Sequence, residues 1–357
     1  MAVGYTRVNP DKLVAFSTKV LEKMGVPSED AGITSRLLVD TDFRGIESHG
    51  VAHLAPFYIK RMKDGLINPK PDIKTWSDAP ATAVMDGDNG LGFVCGYRAM
   101  QEAITRARTA GAGFVSVRNS THYGACSAYS LLAAKENMIG FSCTTGGRGA
   151  VAPGGSGREI GINAMSIAVP SGNDFPFCLD MSTTIVAHGK IEIAQRLKKN
   201  VPAGWQVDPD GFPITNPQEE LERRGAMVLL GQTPEMGVYK GFGLNVMIEI
   251  LSSVLSGSPT IVEIGGQPKS QGKCTHFCGA IKISGFLEMG DFSRGMENMY
   301  KVYHGVPKAK GVQRITLTGE LEWEIEQDRR KNGIPLDEEV IKSLKGLSEE
   351  FKVPYDL

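Results

Sequence analysis

The stretch that most constrains this chain runs from Gly113 to Gly124, Gly-Phe-Val-Ser-Val-Arg-Asn-Ser-Thr-His-Tyr-Gly. Its first half alternates and is rich in β-branched and aromatic residues, which predicts a short buried strand. A polar turn then ends in His-Tyr-Gly, and Ala125 to Lys135 has the composition of a helix. A strand that turns into a helix leaves side chains and free helix N–H groups at the end of a sheet, where open α/β folds hold their ligands. His122 stands at that turn and is suited to moving a proton at neutral pH. The stretch alone leaves two readings open: a histidine that caps a helix, and one that does chemistry.

The rest of the chain narrows the setting. Its 357 residues fit one large domain or two smaller ones, and 41% hydrophobic against 22% charged residues allow a sizeable core. Thirty-nine basic and forty acidic residues leave no net field to attract nucleic acid or an anionic membrane, so neither is expected as a partner. The N-terminal residues lack the apolar run of a signal peptide, and no later run reaches the roughly eighteen apolar residues of a membrane span. Six cysteines in so long a chain do not make a disulfide framework. The expectation is a soluble, cytoplasmic protein with reduced thiols. Forty-three glycines gather at 87–96, 111–113, 146–161 and 237–243 without a fixed period, which suggests tight turns or close backbone approach to a ligand.

Periodicity predicts helices over 10–24, from Pro27 to about Phe43–Gly45, and from the loop Gly45–Gly50 to about Asp64. Alternating strands and helices come next. Strands are expected at Ala81–Met85, Gly113–Arg118, Ile139–Cys143, Asn163–Val169, Phe177–Met181 and Gly279–Ile283. Helices are expected at Tyr97–Ala110, after His122, at about Thr184–Lys198 and at Gly243–Leu255. The last of these is apolar enough to be buried in the protein or at a subunit interface. Residues 200–217 read as an excursion loop, and 291–302, 320–331 and 336–351 as terminal helices. The sum is α/β, with a sheet flanked by helical layers from both ends of the chain.

Common cofactor motifs are missing. Gly90-Leu91-Gly92-Phe93-Val94-Cys95-Gly96 has Cys95 where a dinucleotide fingerprint needs its third glycine, so it reads as a structural loop. No glycine–lysine pair continues into a Walker sequence, and Gly154-Gly155-Ser156-Gly157 has the wrong spacing for a serine-hydrolase elbow. Cys274, His276 and Cys278 alternate in a strand without a partnering pair at zinc spacing, and no metal site is expected.

What remains is a set of turns: Ser48-His49-Gly50, His122-Tyr123-Gly124, Asp180-Met181-Ser182-Thr183-Thr184 and Val238-Tyr239-Lys240-Gly241-Phe242-Gly243-Leu244. With Asp42-Phe43-Arg44-Gly45-Ile46-Glu47-Ser48-His49-Gly50, Gly161-Ile162-Asn163 and Ala187-His188-Gly189-Lys190, they occur in the order found in one family. The chain resembles the type-2 malate/L-lactate dehydrogenases, which include sulfolactate and ureidoglycolate dehydrogenases and cyclic-imine reductases. The resemblance implies a non-Rossmann mixed central sheet. It divides the chain into a mainly helical domain, 1–72 plus 290–357, and a dinucleotide-binding domain, 73–289. It also implies NAD or NADP as cofactor, a 2-oxo or 2-hydroxy acid as substrate, and a homodimer.

Residue by residue, the resemblance makes His49 and His122 the two candidates for proton donor. His49, oriented by Ser48, is the expected one, with His122 lining the same pocket, and Lys190 is either a charged partner of the pair or a helix-surface lysine. It assigns cofactor contacts to His122, Tyr123, Gly124, Gly146, Asp180, Met181, Ser182, His188, Gly189 and Lys240, and to Gly319 and Glu320 in a C-terminal loop. The substrate wall departs from the family: His53 replaces a carboxylate-gripping arginine, and Ile162 replaces a threonine. Arg148 is the expected substitute cation. A cyclic imino-acid reductase and a catalytically silent binding protein of the same fold are the alternatives.

Overall fold

The structure, a computed structural model, describes residues 4–265 and 273–357. Residues 1–3 of the expected helical domain and 266–272 of the expected sheet domain lie outside it. The chain begins with β1 (Tyr5–Val8), α1 (Pro10–Lys23) and α2 (Ser28–Phe43). Asn9 caps α1 by accepting from Lys12 N at 3.0 Å, and Pro10 fills a position whose N–H would have no helical partner. Leu13, Phe16, Val20 and Leu21 form its buried face.

The expected third helix is broken. Two 3₁₀ turns, Glu47–His49 and Val51–His53, lead into a π-helical stretch, Leu54–Ile59, before α3 (Lys60–Lys63). The cause lies at Gly50. Asp42 on α2 accepts a hydrogen bond from Val51 N at 2.8 Å, and a Cβ at residue 50 would overlap that carboxylate. The backbone is therefore extended at Gly50, and no regular helix runs through it.

Further along come β2 (Lys74–Asp78), β3 (Thr82–Asp86), α4 (Gly92–Ala110), β4 (Ala112–Thr121), α5 (Ser127–Lys135) and β5 (Met138–Thr144). They are followed by β6 (Arg148–Ala150), β7 (Ile160–Gly161), β8 (Ala164–Val169), β9 (Phe177–Ser182) and α6 (His188–Arg196). The chain then forms β10 (Gln206–Val207), β11 (Ala226–Met227), α7 (Val238–Glu249), α8 (Ile261–Ile264) and β12 (Lys273–Lys282). It closes with α9 (Met289–His304), α10 (Glu320–Asn332), β13 (Ile334–Asp337) and α11 (Glu338–Phe351).

Seven strands form the main sheet in the order β2-β3-β4-β12-β5-β8-β9. Among the described residues of this sheet only β3 and β4 pair in parallel, Thr82 opposite Phe114; the other neighbours are antiparallel. A smaller sheet runs β10-β11-β6-β7, and β1 pairs with β13, which ties the two ends of the chain together. One buried cluster joins Leu13 and Leu38 of the N-terminal helices, Phe93 and Met100 of α4, Val115 and Val117 of β4, and Leu344 of α11. All six cysteines are buried, and none forms a disulfide among the described residues. Among the described residues, no helix is long and apolar enough to cross a membrane.

The strand that begins after Gly111 runs further than its pattern predicts. β4 continues to Thr121, so His122 is the first residue past the strand. The glycine-rich loop fixes that end. Gly92 N donates to Thr121 Oγ1 at 3.1 Å, Thr121 Oγ1 donates to Gly90 O at 2.9 Å, and α4 starts at Gly92 instead of Tyr97. A Cβ at Gly92 would overlap the carbonyl oxygen of Thr121. Gly92→Ala must therefore push α4 away from the histidine turn, at a cost on the order of 1–3 kcal/mol. Urea unfolding is expected to show that loss, together with weaker activity; an unchanged midpoint would refute the packing argument.

Candidate active site

A cavity of about 390 Å³ opens at the end of β4, β5 and β9. Its size suits a small-molecule site. Ser48, His49, His53, His122, Gly124, Gly146, Ile162, Asp180, Met181, Ser182, His188 and Gly189, all expected from the sequence, line it. Elements far apart in the chain thus bring both histidine turns to one place. The His49 and His122 rings stack with centroids 5.6 Å apart, and His53 meets His49 edge-on at 6.1 Å.

Each histidine is held at one ring nitrogen. Ser48 Oγ lies 2.9 Å from His49 Nδ1. Tyr58 Oη lies 2.7 Å from His122 Nδ1, and Gly124 N donates to the same atom at 3.4 Å. An atom that accepts from Gly124 N carries no proton, so neutral His122 keeps its proton on Nε2. Burial lowers the pKa of His49 to about 4, with the charge of nearby His53 acting in the same direction. Burial likewise holds His122 well below the ordinary histidine value, aided by His49, His53, Arg61 and His276. Both imidazoles are therefore neutral at neutral pH and, once protonated, more acidic than an ordinary imidazolium.

His188, at the start of α6, has the opposite character. Hydrogen bonds to Glu192 and then Glu220 raise its pKa to about 9 against the desolvation of its site. Asp180 is half-buried and accepts from Ser127 N at 2.9 Å, where it faces the positive end of α5. Desolvation raises its pKa, and the Ser127 contacts oppose that.

Other expected residues stand away from the cavity wall. Tyr123 is fully buried, its ring stacked between His276 and Tyr129 at 4.3 Å from each. Lys190 is exposed on α6, and Lys240 is exposed with its ammonium 5.8 Å from the Tyr239 ring centre. Arg148 pairs with Glu159. Thr318 lines the cavity, whereas Glu320 beside it accepts from Leu317 N and meets His304 at 3.0 Å. Gly319 N donates to Glu322 as the cap of α10.

Arg44, Glu192 and Tyr58 are among the lining or supporting residues that were not foreseen. Arg44 lines the cavity although only 8% exposed; its nearest carboxylate, Glu326, is 3.9 Å away, and its Nε has no hydrogen-bond partner among the described residues. Its place inside the Asp42–Gly50 motif was the available signal. Glu192 also lines the cavity, and its position one helical turn after His188 marked it. Tyr58, which holds His122, carried no local signal. A second cavity, of about 410 Å³, shares Arg44 as a wall residue.

Fold and pocket together define an α/β protein with two stacked histidines in one cavity. The malate/L-lactate dehydrogenase family matches residues 8–345, and the chain belongs to that family. It is 39% identical to a malate dehydrogenase of Pyrococcus horikoshii over 98% of this chain and 97% of that protein. It is 40% identical to the L-sulfolactate dehydrogenase of Methanocaldococcus jannaschii over 96% and 97% of the two chains. The solved malate dehydrogenase of Entamoeba histolytica superposes with a TM-score of 0.96 at 34% identity, covering 99% of this chain and 100% of that one.

The raised pKa of His188 gives a test of this electrostatic picture. A histidine raised in the folded state contributes stability that is full below about 6.5 and fades as pH rises through about 9. The thermal-stability advantage of wild type over His188→Asn is expected to shrink between pH 6 and pH 9.5. A gap that stays constant or widens would contradict the pairing.

Proposed function

We propose that this protein is an NAD(P)-dependent dehydrogenase that interconverts a small 2-oxo acid and its 2-hydroxy acid. The observation that carries this reading is the stacked His49–His122 pair, neutral and anchored at Nδ1, in a cavity whose other walls are Gly146 and Asp180–Ser182. Family membership supplies the reaction class. The residues fit a nicotinamide dinucleotide. Arg44 offers a buried guanidinium with an unpartnered Nε, and Gly147 has open space beside its backbone. Gly124, Gly146, Asp180, Met181 and Ser182 would hold the cofactor, with Arg44 near its anionic portion. When bound, the nicotinamide accepts or donates the hydride.

The chain itself handles the proton. In the oxidative direction neutral His49 takes the hydroxyl proton at Nε2, since Ser48 engages Nδ1. In the reductive direction, protonated His49 returns it to the carbonyl oxygen, and its depressed pKa favours that transfer. Neutral His122 offers an Nε2–H donor to the oxygen as charge develops there. Tyr58 keeps that tautomer in place.

We read the cofactor as bound without a Rossmann fold, because the main sheet is antiparallel apart from one pair. Residues 1–72 with 290–357 and residues 73–289 are our proposed domains, and the cytoplasm the proposed compartment. The proposed homodimer rests on α7 and its π-helical continuation Ile250–Val254. There Val246, Ile250 and Val254 recur every four residues and are 39%, 52% and 57% exposed. An Ile250→Glu/Val254→Glu double variant is expected to run as a monomer in light scattering; a wild type that is already monomeric would refute the dimer.

The central experiment assays NADH and NADPH oxidation with a panel of 2-oxo acids, 3-sulfopyruvate and cyclic imines. Wild type is compared with His49→Ala and His122→Ala. Loss of His49 is expected to lower kcat about 10²–10⁴-fold. Turnover confined to cyclic imines would favour the reductase reading, and no binding of either cofactor by calorimetry would favour a silent binding protein.

A further inference from the structure

The cavity wall has a carboxylate-to-histidine network that the proton chemistry above does not use. His53 lines the cavity with its side chain 23% exposed, and its Nε2 lies 3.7 Å from Glu192 Oε2. The other carboxylate oxygen of Glu192 lies 3.3 Å from His188 Nδ1. Nε2 of His188 is 2.8 Å from Glu220, which also meets Arg158 at 2.8 Å and accepts from Gln195 at 3.0 Å. Glu192 is thus fixed between two imidazoles, and the second is anchored in turn to a buried acid.

The helix that carries Glu192 is itself immobilised against the catalytic turn. A Cβ at Gly189 would overlap the side chain of Ser48, so the first turn of α6 packs directly on the Ser48–His49 segment. The pairing with His188 and then His53 keeps the Glu192 carboxyl far below the ordinary range, so it is ionised throughout the working pH. At the other end of the network, His53 Nδ1 is buried and has no hydrogen-bond partner among the described residues. An imidazole held by a carboxylate at one nitrogen presents a directed donor at the other when it is protonated.

We propose that Glu192 is a positioning residue for substrate recognition, bracing His53 so that its Nδ1–H receives the carboxylate of the 2-oxo acid. This rests on the dehydrogenase reading above and deepens it. The grip differs from that of an arginine: one directed donor replaces a two-pronged fork, and its orientation depends on a carboxylate from another helix. Arg148 has no part in it, since Glu159 takes its guanidinium. The groups facing Glu192 are His53 and His188, with His49 near enough to feel its charge.

The test is steady-state kinetics of Glu192→Gln with the best 2-oxo acid from the panel. The expected result is a KM for the oxo acid raised about 10-fold, with kcat and the cofactor KM within about 2-fold of wild type. A merely structural role would move all three together, or only the melting temperature. In a His53→Gln background the same Glu192→Gln change is expected to have no further effect on KM, because its partner is gone. Calorimetric titration of oxamate onto the cofactor-bound enzyme is expected to show the same loss of affinity. Turnover by wild type with an unchanged oxo-acid KM in Glu192→Gln overturns this proposal alone. So does an equal KM effect with and without His53, or a KM rise that follows Arg148→Ala instead. Absence of any 2-oxo acid turnover in wild type overturns the dehydrogenase reading and this proposal with it.

Discussion

The grip of the Asp42 carboxylate on the Val51 amide is the contact on which this site depends. Burial raises the pKa of Asp42 to about 7, with the Val51 hydrogen bond and the charge of Arg329 opposing that rise. The acid tolerates such burial because it replaces water with a backbone donor at 2.8 Å. Its presence excludes any side chain at Gly50 and forces the extended link between the two 3₁₀ turns. His49 precedes that link and His53 comes after it, so one carboxylate sets how these two cavity-lining histidines sit relative to each other. Arg329 of α10 donates to Asp42 O and to Glu47, which binds the C-terminal helices to the same turn.

Two electrostatic regimes meet in one cavity. On the His49–His122 side, desolvation dominates and the rings are neutral. On the His188 side, two carboxylates dominate and the ring is a cation at neutral pH. The same residue type is thus held neutral in one half and charged in the other, and the difference comes from neighbours alone. His276, deeper in the sheet, shows a third use. It is fully buried, its pKa lowered by burial to about 3, and both ring nitrogens are taken, by Thr144 and Ser120 at 2.8 Å each.

Local pattern carried the reading of β4 and the His122 turn, because alternation and turn chemistry are properties of adjacent residues. The family motifs carried the grouping of Ser48, His49, Asp180 and His188 in one cavity. Lys190 shows where such reading stops: two residues past His188 on a helix is a rotation of about 200°, so it faces solvent while Glu192 faces the cavity. Arg148 shows another limit, since its pairing depends on the register of β6 and β7, with Arg148 opposite Gly161 and Glu159 close by. The break in the third helix was equally hidden, because it arises from contact between Gly50 and a carboxylate eight residues earlier. The apolar character of 243–255 was legible, but composition does not say which face of a helix its own fold covers.

The π-helical stretch Leu54–Ile59 has a consequence for how this pocket changes over generations. Its wider turn lets two successive residues, Phe57 and Tyr58, both reach His122, with ring centroids at 5.1 and 6.0 Å. Dropping one residue would return the segment to an ordinary α-helix and rotate the residues beyond the deletion by about 100°. Tyr58 would then swing off the histidine it holds. The length of this segment is therefore under stricter control than its composition.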